Sequence, residues 1–267
     1  PLLPCGMTAP VNQYRKWFAK HQYADGKVPF CVDRRGSDPV PEPDSHGEFI
    51  FLVSESLRLT DDRATAAELW PNVRAAARFQ DTLRAQRRTA EWRTSDKQHF
   101  YGLLPPSISH EGYSAKPMHS YWDDLFAVRG YKDAVLIART LGHDGEAAQW
   151  ERWRDEFARE FVASIEAAGV RHGIDFIPGS ADRGDFDPTS TTIALNPAQV
   201  PAHRALMHLY VSLGRHGAAL RQYQSCVAVL ERDLGIEPEP ETRALYQDIL
   251  RRRSQGGALI AARHDDL

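Results

Sequence analysis

The sequence predicts an all-α chain, and three observations carry that expectation. Apolar residues recur at helical spacing through most of its 267 residues, Pro, Gly and Asp punctuate the gaps, and hardly any segment alternates apolar and polar residues as a half-buried strand does. The first helix is expected from Val11 to Tyr23, with Tyr14, Trp17 and Phe18 on one face, ending near Asp25 and Gly26. The segment KVPFCVDRRGSDPVPEPDSHGE that follows is irregular, because its prolines lack a backbone donor and clash with a continuing helix. A helix from about Gly47 to Leu59 opens on the apolar run Phe49 to Val53, with Asp44 or Ser45 as its candidate cap. Leu-Thr-Asp-Asp turns the chain into a helix from about Ala64 to Arg87, where Leu69, Trp70, Val73, Ala76, Ala77 and Leu83 mark one buried face. These two form an antiparallel hairpin. A second hairpin is expected from Tyr121 to Thr140 and Glu146 to Ala168, joined by Leu-Gly-His-Asp. Each hairpin is preceded by an irregular polar segment, so the two segments can converge at one end of a toroid of paired helices.

A net charge of −3 with acids and bases interspersed gives no footprint for a phosphate backbone or an anionic membrane. Direct nucleic-acid binding is therefore not expected. Cys5, Cys31 and Cys226 are too few and too widely spaced for a disulfide framework or a zinc site. No apolar run approaches the roughly 20 residues that span a bilayer, so no membrane partner is expected. The chain opens at Pro1 without a charged, then apolar, export segment, which leaves its location open with a cytoplasmic one slightly favoured.

The stretch Tyr101 to Asp124, YGLLPPSISHEGYSAKPMHSYWDD, holds the richest chemistry: carboxylates, histidines and aromatic rings in a long segment without helical periodicity. Long ordered loops in compact domains are usually functional, and this composition suits a pocket for a polar, ring-shaped ligand. Glycoside hydrolysis needs one carboxylic acid to protonate the leaving oxygen and a second carboxylate as base or nucleophile. Glu111, next to Tyr113, is the candidate acid. Asp123, at a helix start, and Asp185, in the GDFD segment, are candidates for the ionised partner, and the residues do not choose between them. Structural readings stand beside these: Glu111 as a solvated loop carboxylate, Asp123 and Asp124 as helix-start charges. Asp33, Arg34, Asp44 and Glu48 form a second polar concentration, suited to gripping hydroxyls or to stapling the proline-rich loop. Tyr101, His110, His119, Tyr121, Trp122 and Asp124 complete the candidate sugar-contacting set, the rings serving equally well as core. His110, His119, Asp123 and Asp124 show no HExxH or paired-ligand spacing, so neither a metal nor any other cofactor is expected.

VDRRGSDPVPEPDSHGEFIF, the Tyr101 to Asp124 loop and IPGSADRGDFDPTSTTIAL resemble bacterial, poorly characterised members of the six-hairpin glycosidase superfamily, over about Gln13 to Leu195. The resemblance implies an (α/α) toroid and a carbohydrate partner. A complete toroid of that kind needs about twelve helices, so residues 1–196 are expected to form an incomplete one, either catalytic or degenerate and only sugar-binding.

From Pro197 the polar loops give way to a different rule. Tyr210, Gly214, Ala219, Tyr223 and Cys226, preceded by Leu206, match the tetratricopeptide pattern, in which a glycine turns the hairpin and a small residue allows close helix approach. AHRALMHLYVSLGRHGAALRQYQSCVAVLERDLGIEPEPETRALYQDIL resembles the bacterial transcriptional activator domain. That resemblance implies a tetratricopeptide-like module over residues 197–253 that meets protein partners, with Leu206, Tyr210 and Tyr223 as candidate contacts; the terminal residues 254–267 are expected to fray. One repeat and a helix from Glu239 to Arg253 fall short of a self-sufficient solenoid, so the apolar face needs cover from residues 1–196 or from another chain.

Overall fold

In the computed structural model the fold is all-α, and it describes residues 2–3, 5–109, 112–189, 204, 207–208, 210–211, 214–234, 237–238 and 240–251. Helix α1 (Thr8–Ala19) starts and stops earlier than its periodicity suggests. It turns Val11, Arg15 and Ala19 inward, while Tyr14 and Trp17 remain 50% and 43% exposed. Arg15 is drawn in by Asn12 and by Asp62, 3.8 Å away at the head of α3 (Arg63–Ala85). Of the three rings only Phe18, stacked under Tyr14, reaches the core, where its ring lies 6.3 Å from that of Phe49.

The proline-rich segment carries a two-residue antiparallel hairpin, β1 (Val32–Asp33) and β2 (Gly36–Ser37), that no alternating pattern announced. Gly36, at φ +108°, makes the reversal that an L side chain resists. His46 pins the rest of the segment. Its Nε2 accepts the Val28 amide at 3.2 Å, which leaves the proton on Nδ1 to donate to the Pro43 carbonyl at 2.9 Å.

Helix α2 (Asp44–Thr60) begins ahead of the expected Gly47. Pro43 holds the N-cap position, and neither Asp44 nor Ser45 caps the helix as the sequence suggested. Asp62 does cap α3, accepting the Thr65 amide at 3.0 Å. Helices α4 (Tyr121–Thr140) and α5 (Asp144–His172) make the second hairpin, and α5 runs a full turn past its expected end, to Gly173 at φ +64°. The most extensive helix contact is α2 on α4. It is possible because glycines meet at the crossing: a Cβ on Gly130 would stand 2.7 Å from the Gly47 Cα.

The core under these helices is continuous, from Phe49 and Ile50 through Trp70 and Tyr131 to Trp150 and Phe157. Two polar ties cross it. Arg84 is fully buried, bonding Glu160 at 2.6 Å and lying 4.0 Å over the Phe157 ring. The Ser164 hydroxyl donates to the His99 carbonyl, so it accepts from the fully buried Tyr121 hydroxyl 2.8 Å away. Tyr121→Phe keeps the ring and drops one bond. It is expected to cost about 1–2 kcal/mol in urea unfolding; unchanged stability would show that the hydroxyl pair contributes nothing.

A second, smaller core joins Met207, Ala219 and Leu220 to Ile249, between α6 (His216–Leu234) and the helical residues 240–251. Gly214, at φ +69°, turns into α6, and Ala219 is fully buried where the helices approach. Tyr223 stacks on Tyr246 at 4.0 Å. Tyr210 packs against both cores and joins the module to the hairpins. Leu206 and the tail beyond 251 lie outside the described residues.

Candidate functional site

The first turns of α2 and α4 lie side by side, tied by the Trp122 Nε1–H bond to Asp44 Oδ2 at 2.7 Å. This contact gathers carboxylates that are far apart in sequence. Glu42 and Asp44 are buried at the head of α2, Glu48 follows one turn on, and Asp123 enters from α4. Asp123 is fully buried. It accepts bonds from the hydroxyls of Ser107 and Ser109, the second at 2.9 Å, so no oxygen of it faces solvent. Ser109 sits at φ +52°, a left-handed backbone costly for a serine, and its hydroxyl accepts in turn from Ser120 at 2.8 Å.

Crowding these groups favours protons. Burial, followed by the charge of Asp44, pushes Asp123 well above the usual carboxylate range, against the pull of its serine bonds. Glu48 is pushed up to about 8 by the dense protein around it and then by Asp44 and Glu42, yet its side chain keeps solvent access. Asp124 points elsewhere. It accepts the Leu104 amide at 2.9 Å and is pushed up to about 8 by burial alone, with Arg84 working against that. The positive ends of both helices partly offset the negative charge.

Asp185 is half-buried and accepts from the Ser180 hydroxyl at 2.9 Å. A backbone bridge pairs Ser180 with Ser120, so a run of serines separates Asp185 from Asp123. Glu111 and His110 lie outside the described residues. His119 accepts from Arg87 at Nε2, 3.0 Å, and turns Nδ1 to Asp182 at 3.1 Å, stacked on Phe100. Tyr121 is core. Asp33 and Arg34 are exposed on the small hairpin, where Asp33 pairs with Arg35, and no bond joins Asp33 to the acidic cluster. The structure thus brings Asp44, Glu48, Trp122 and Asp123 together and leaves Asp33, Arg34 and Tyr101 apart.

Tyr101 belongs to another feature that the sequence did not single out. It lines a cavity of 730 Å³ with Gln98, His99 and Arg171, which shares Ala163 and Glu166 with a larger cavity of 1010 Å³. The larger one lies between α5 and the helical residues 240–251 and is rimmed by Arg154, Arg159, Glu241 and Asp248. The signal available was the side of α5 that carries small residues, Ala158, Val162, Ala163 and Ala167, between charged ones. Among the described residues no group of His, Cys, Asp and Glu is arranged to hold a metal ion, and no helix is long and apolar enough to cross a membrane.

An all-α protein of helical hairpins with a tetratricopeptide-like end is the class these features define. A family model described as the bacterial transcriptional activator domain matches residues 144–250, a span that takes in α5 as well as the C-terminal helices. Among solved structures, a rhamnosidase from Klebsiella oxytoca with rhamnose bound is similar at a TM-score of 0.42 and 16% identity, over 94% of this chain and 43% of that one. The chain therefore spans less than half the length of that enzyme, and at this level of similarity nothing about activity passes from it. No curated protein matches the chain.

Proposed function

We propose that residues 1–196 are a carbohydrate-binding domain of glycoside-hydrolase type and that residues 197–253 form an attached protein-contacting module. One observation carries the first part: Asp44, Glu48 and Asp123 meet across the α2–α4 contact beside an indole, with Glu48 open to solvent. Carboxyls that can both donate and accept suit the hydroxyls of a neutral sugar. A carboxyl that keeps its proton near neutrality is also the group that protonates a glycosidic oxygen. In this reading Glu48 contacts the sugar, Asp44 and Trp122 hold its surroundings, and Asp123 positions Ser107 and Ser109. Glu111 and Asp185 stay as candidates for the second catalytic carboxyl.

The test is calorimetric titration with glucose, mannose, galactose, rhamnose, their methyl glycosides, maltose and trehalose, alongside hydrolysis of the aryl glycosides. At least one sugar is expected to bind the wild type, and Glu48→Gln, which lacks the acid proton, is expected to weaken that binding up to about tenfold, the worth of one hydrogen bond. No heat and no hydrolysis with any of them would end the sugar reading.

A second reading, a regulatory scaffold, is favoured by the family match over 144–250 and by the cavity between α5 and residues 240–251. It expects partners recovered by the wild type to be lost on Ala244→Arg, which blocks that cavity without touching the small core. Equal recovery by both would count against it.

A further inference from the structure

Soluble proteins seldom turn neighbouring aromatic rings outward, and α1 does so while burying an arginine on its other side. Tyr14 and Trp17 are 50% and 43% exposed, and Arg15 between them is fully buried. The rings are ordered against one another: Tyr14 to Trp17 at 5.9 Å, Tyr14 stacked on Phe18 at 5.7 Å, and Trp17 edge-on to His21 at 4.8 Å. From Tyr14 to Phe18 the helix advances about 6 Å, the scale of one sugar ring. Phe18 in turn packs on Phe49, the residue after Glu48, so the ring ladder and the open carboxyl share one border. The nearness of Glu48 is felt at Tyr14, whose phenol is raised by burial and then by the Glu48 charge.

We propose that Tyr14 and Trp17 form a stacking platform for a sugar unit of an oligosaccharide whose adjoining unit is held at Glu48. The inference rests on the carbohydrate reading and adds where the chain of sugars runs. A pyranose presents an apolar C–H face and a hydroxyl edge, which is the pairing offered by exposed rings beside a carboxyl. An anionic lipid surface gains nothing from Glu48, which offers it no positive charge. A second copy of the chain would cover the rings but has no use for Glu48.

The experiment compares monosaccharide with di- and trisaccharide binding, maltose and maltotriose against glucose first, in the wild type, Tyr14→Ala, Trp17→Ala, Trp17→Phe and Glu48→Gln. Both alanine variants are expected to bind the longer sugars about tenfold more weakly, with monosaccharide affinity and circular dichroism unchanged, and Trp17→Phe to stay near wild type. Glu48→Gln is expected to weaken all of them. Longer sugars bound equally by wild type and alanine variants would overturn the platform and leave the carboxylate reading standing, whereas a wild type that binds no sugar overturns both. Concentration-dependent self-association abolished by Trp17→Ala would assign the rings to a dimer contact and also overturn the platform.

Discussion

Gly47→Ala is expected to cost about 3 kcal/mol or more, and Gly47→Val to abolish cooperative unfolding. The reason is backbone rather than side chain. A Cβ at Gly47 would stand 2.0 Å from the Phe126 carbonyl oxygen and 3.1 Å from the Ala127 nitrogen, atoms fixed by the hydrogen bonds of α4 itself. The strain has no flexible end to absorb it, so α2 must withdraw from α4 along their whole contact. That movement parts Asp44 and Glu48 from Asp123 and stretches the Trp122–Asp44 bond, so sugar affinity should fall with stability. Ala in place of Gly inside an exposed helix ordinarily stabilises by up to about 1 kcal/mol, which makes the sign a sharp discriminator. For a chain of this size 3 kcal/mol corresponds to a melting shift of roughly 6–12 °C. A variant melting within about 2 °C of wild type would mean that the helices do not cross glycine to glycine.

That crossing shows where sequence reading stops. Helices α2 to α5 were legible because buried faces recur at helical spacing, and α4 was found from Tyr121 to Thr140. The partner of each face was not legible. Gly130 breaks the propensity of its helix, which signals a packing reason, but nothing local says that Gly47, far off in the chain, is that reason. Helix α1 differs in another way, since periodicity puts Tyr14, Trp17 and Phe18 on one face, yet Phe18 alone of the three turns to the core. Tyr14 and Trp17 stand outward and Arg15 is buried, because Asp62 at the start of α3 offers the guanidinium a partner inside. For the site, residue types were legible and grouping was not: Asp44 and Glu48 were placed with Asp33 and Arg34 by nearness in sequence, whereas they stand with Asp123 by nearness in space. The long cavity beside α5 has no distinct sequence mark, because small and charged residues on a helix face also describe an ordinary solvated surface.

Stability is expected to fall as the pH rises from about 6.5 to 8. In the folded chain Asp124 keeps its proton to about pH 8, whereas the unfolded chain releases it near the ordinary 3.8. A group whose pKa is raised by folding stabilises fully below its unfolded value and loses that contribution as the pH climbs to its folded one. Asp123, raised for the same reason, adds in the same direction. Two histidines oppose them at lower pH. Burial lowers His46 and His99 to about 4 from 6.5, so the unfolded state gains protons over that window and stability is lost as the pH falls through it. Between about 4 and 6.5 the two histidines offset part of the slope set by Asp123, Asp124 and Glu48, so stability falls only shallowly there. Above 6.5 the histidines are neutral in both states and the carboxyls act unopposed. At about 1.4 kcal/mol per pH unit per group, Asp124 alone removes roughly 2 kcal/mol by pH 8. Asp124→Asn keeps an oxygen for the Leu104 amide and carries no charge, so it should flatten the slope by that share and equal or exceed wild-type stability at pH 8. Urea unfolding at pH 5, 6.5, 7.2 and 8 measures both chains. Wild-type stability that holds level or rises between pH 6.5 and 8 would mean that these carboxyls are ionised in the fold. The protonated cluster at the heads of α2 and α4 would then be lost as the basis for a proton-donating site.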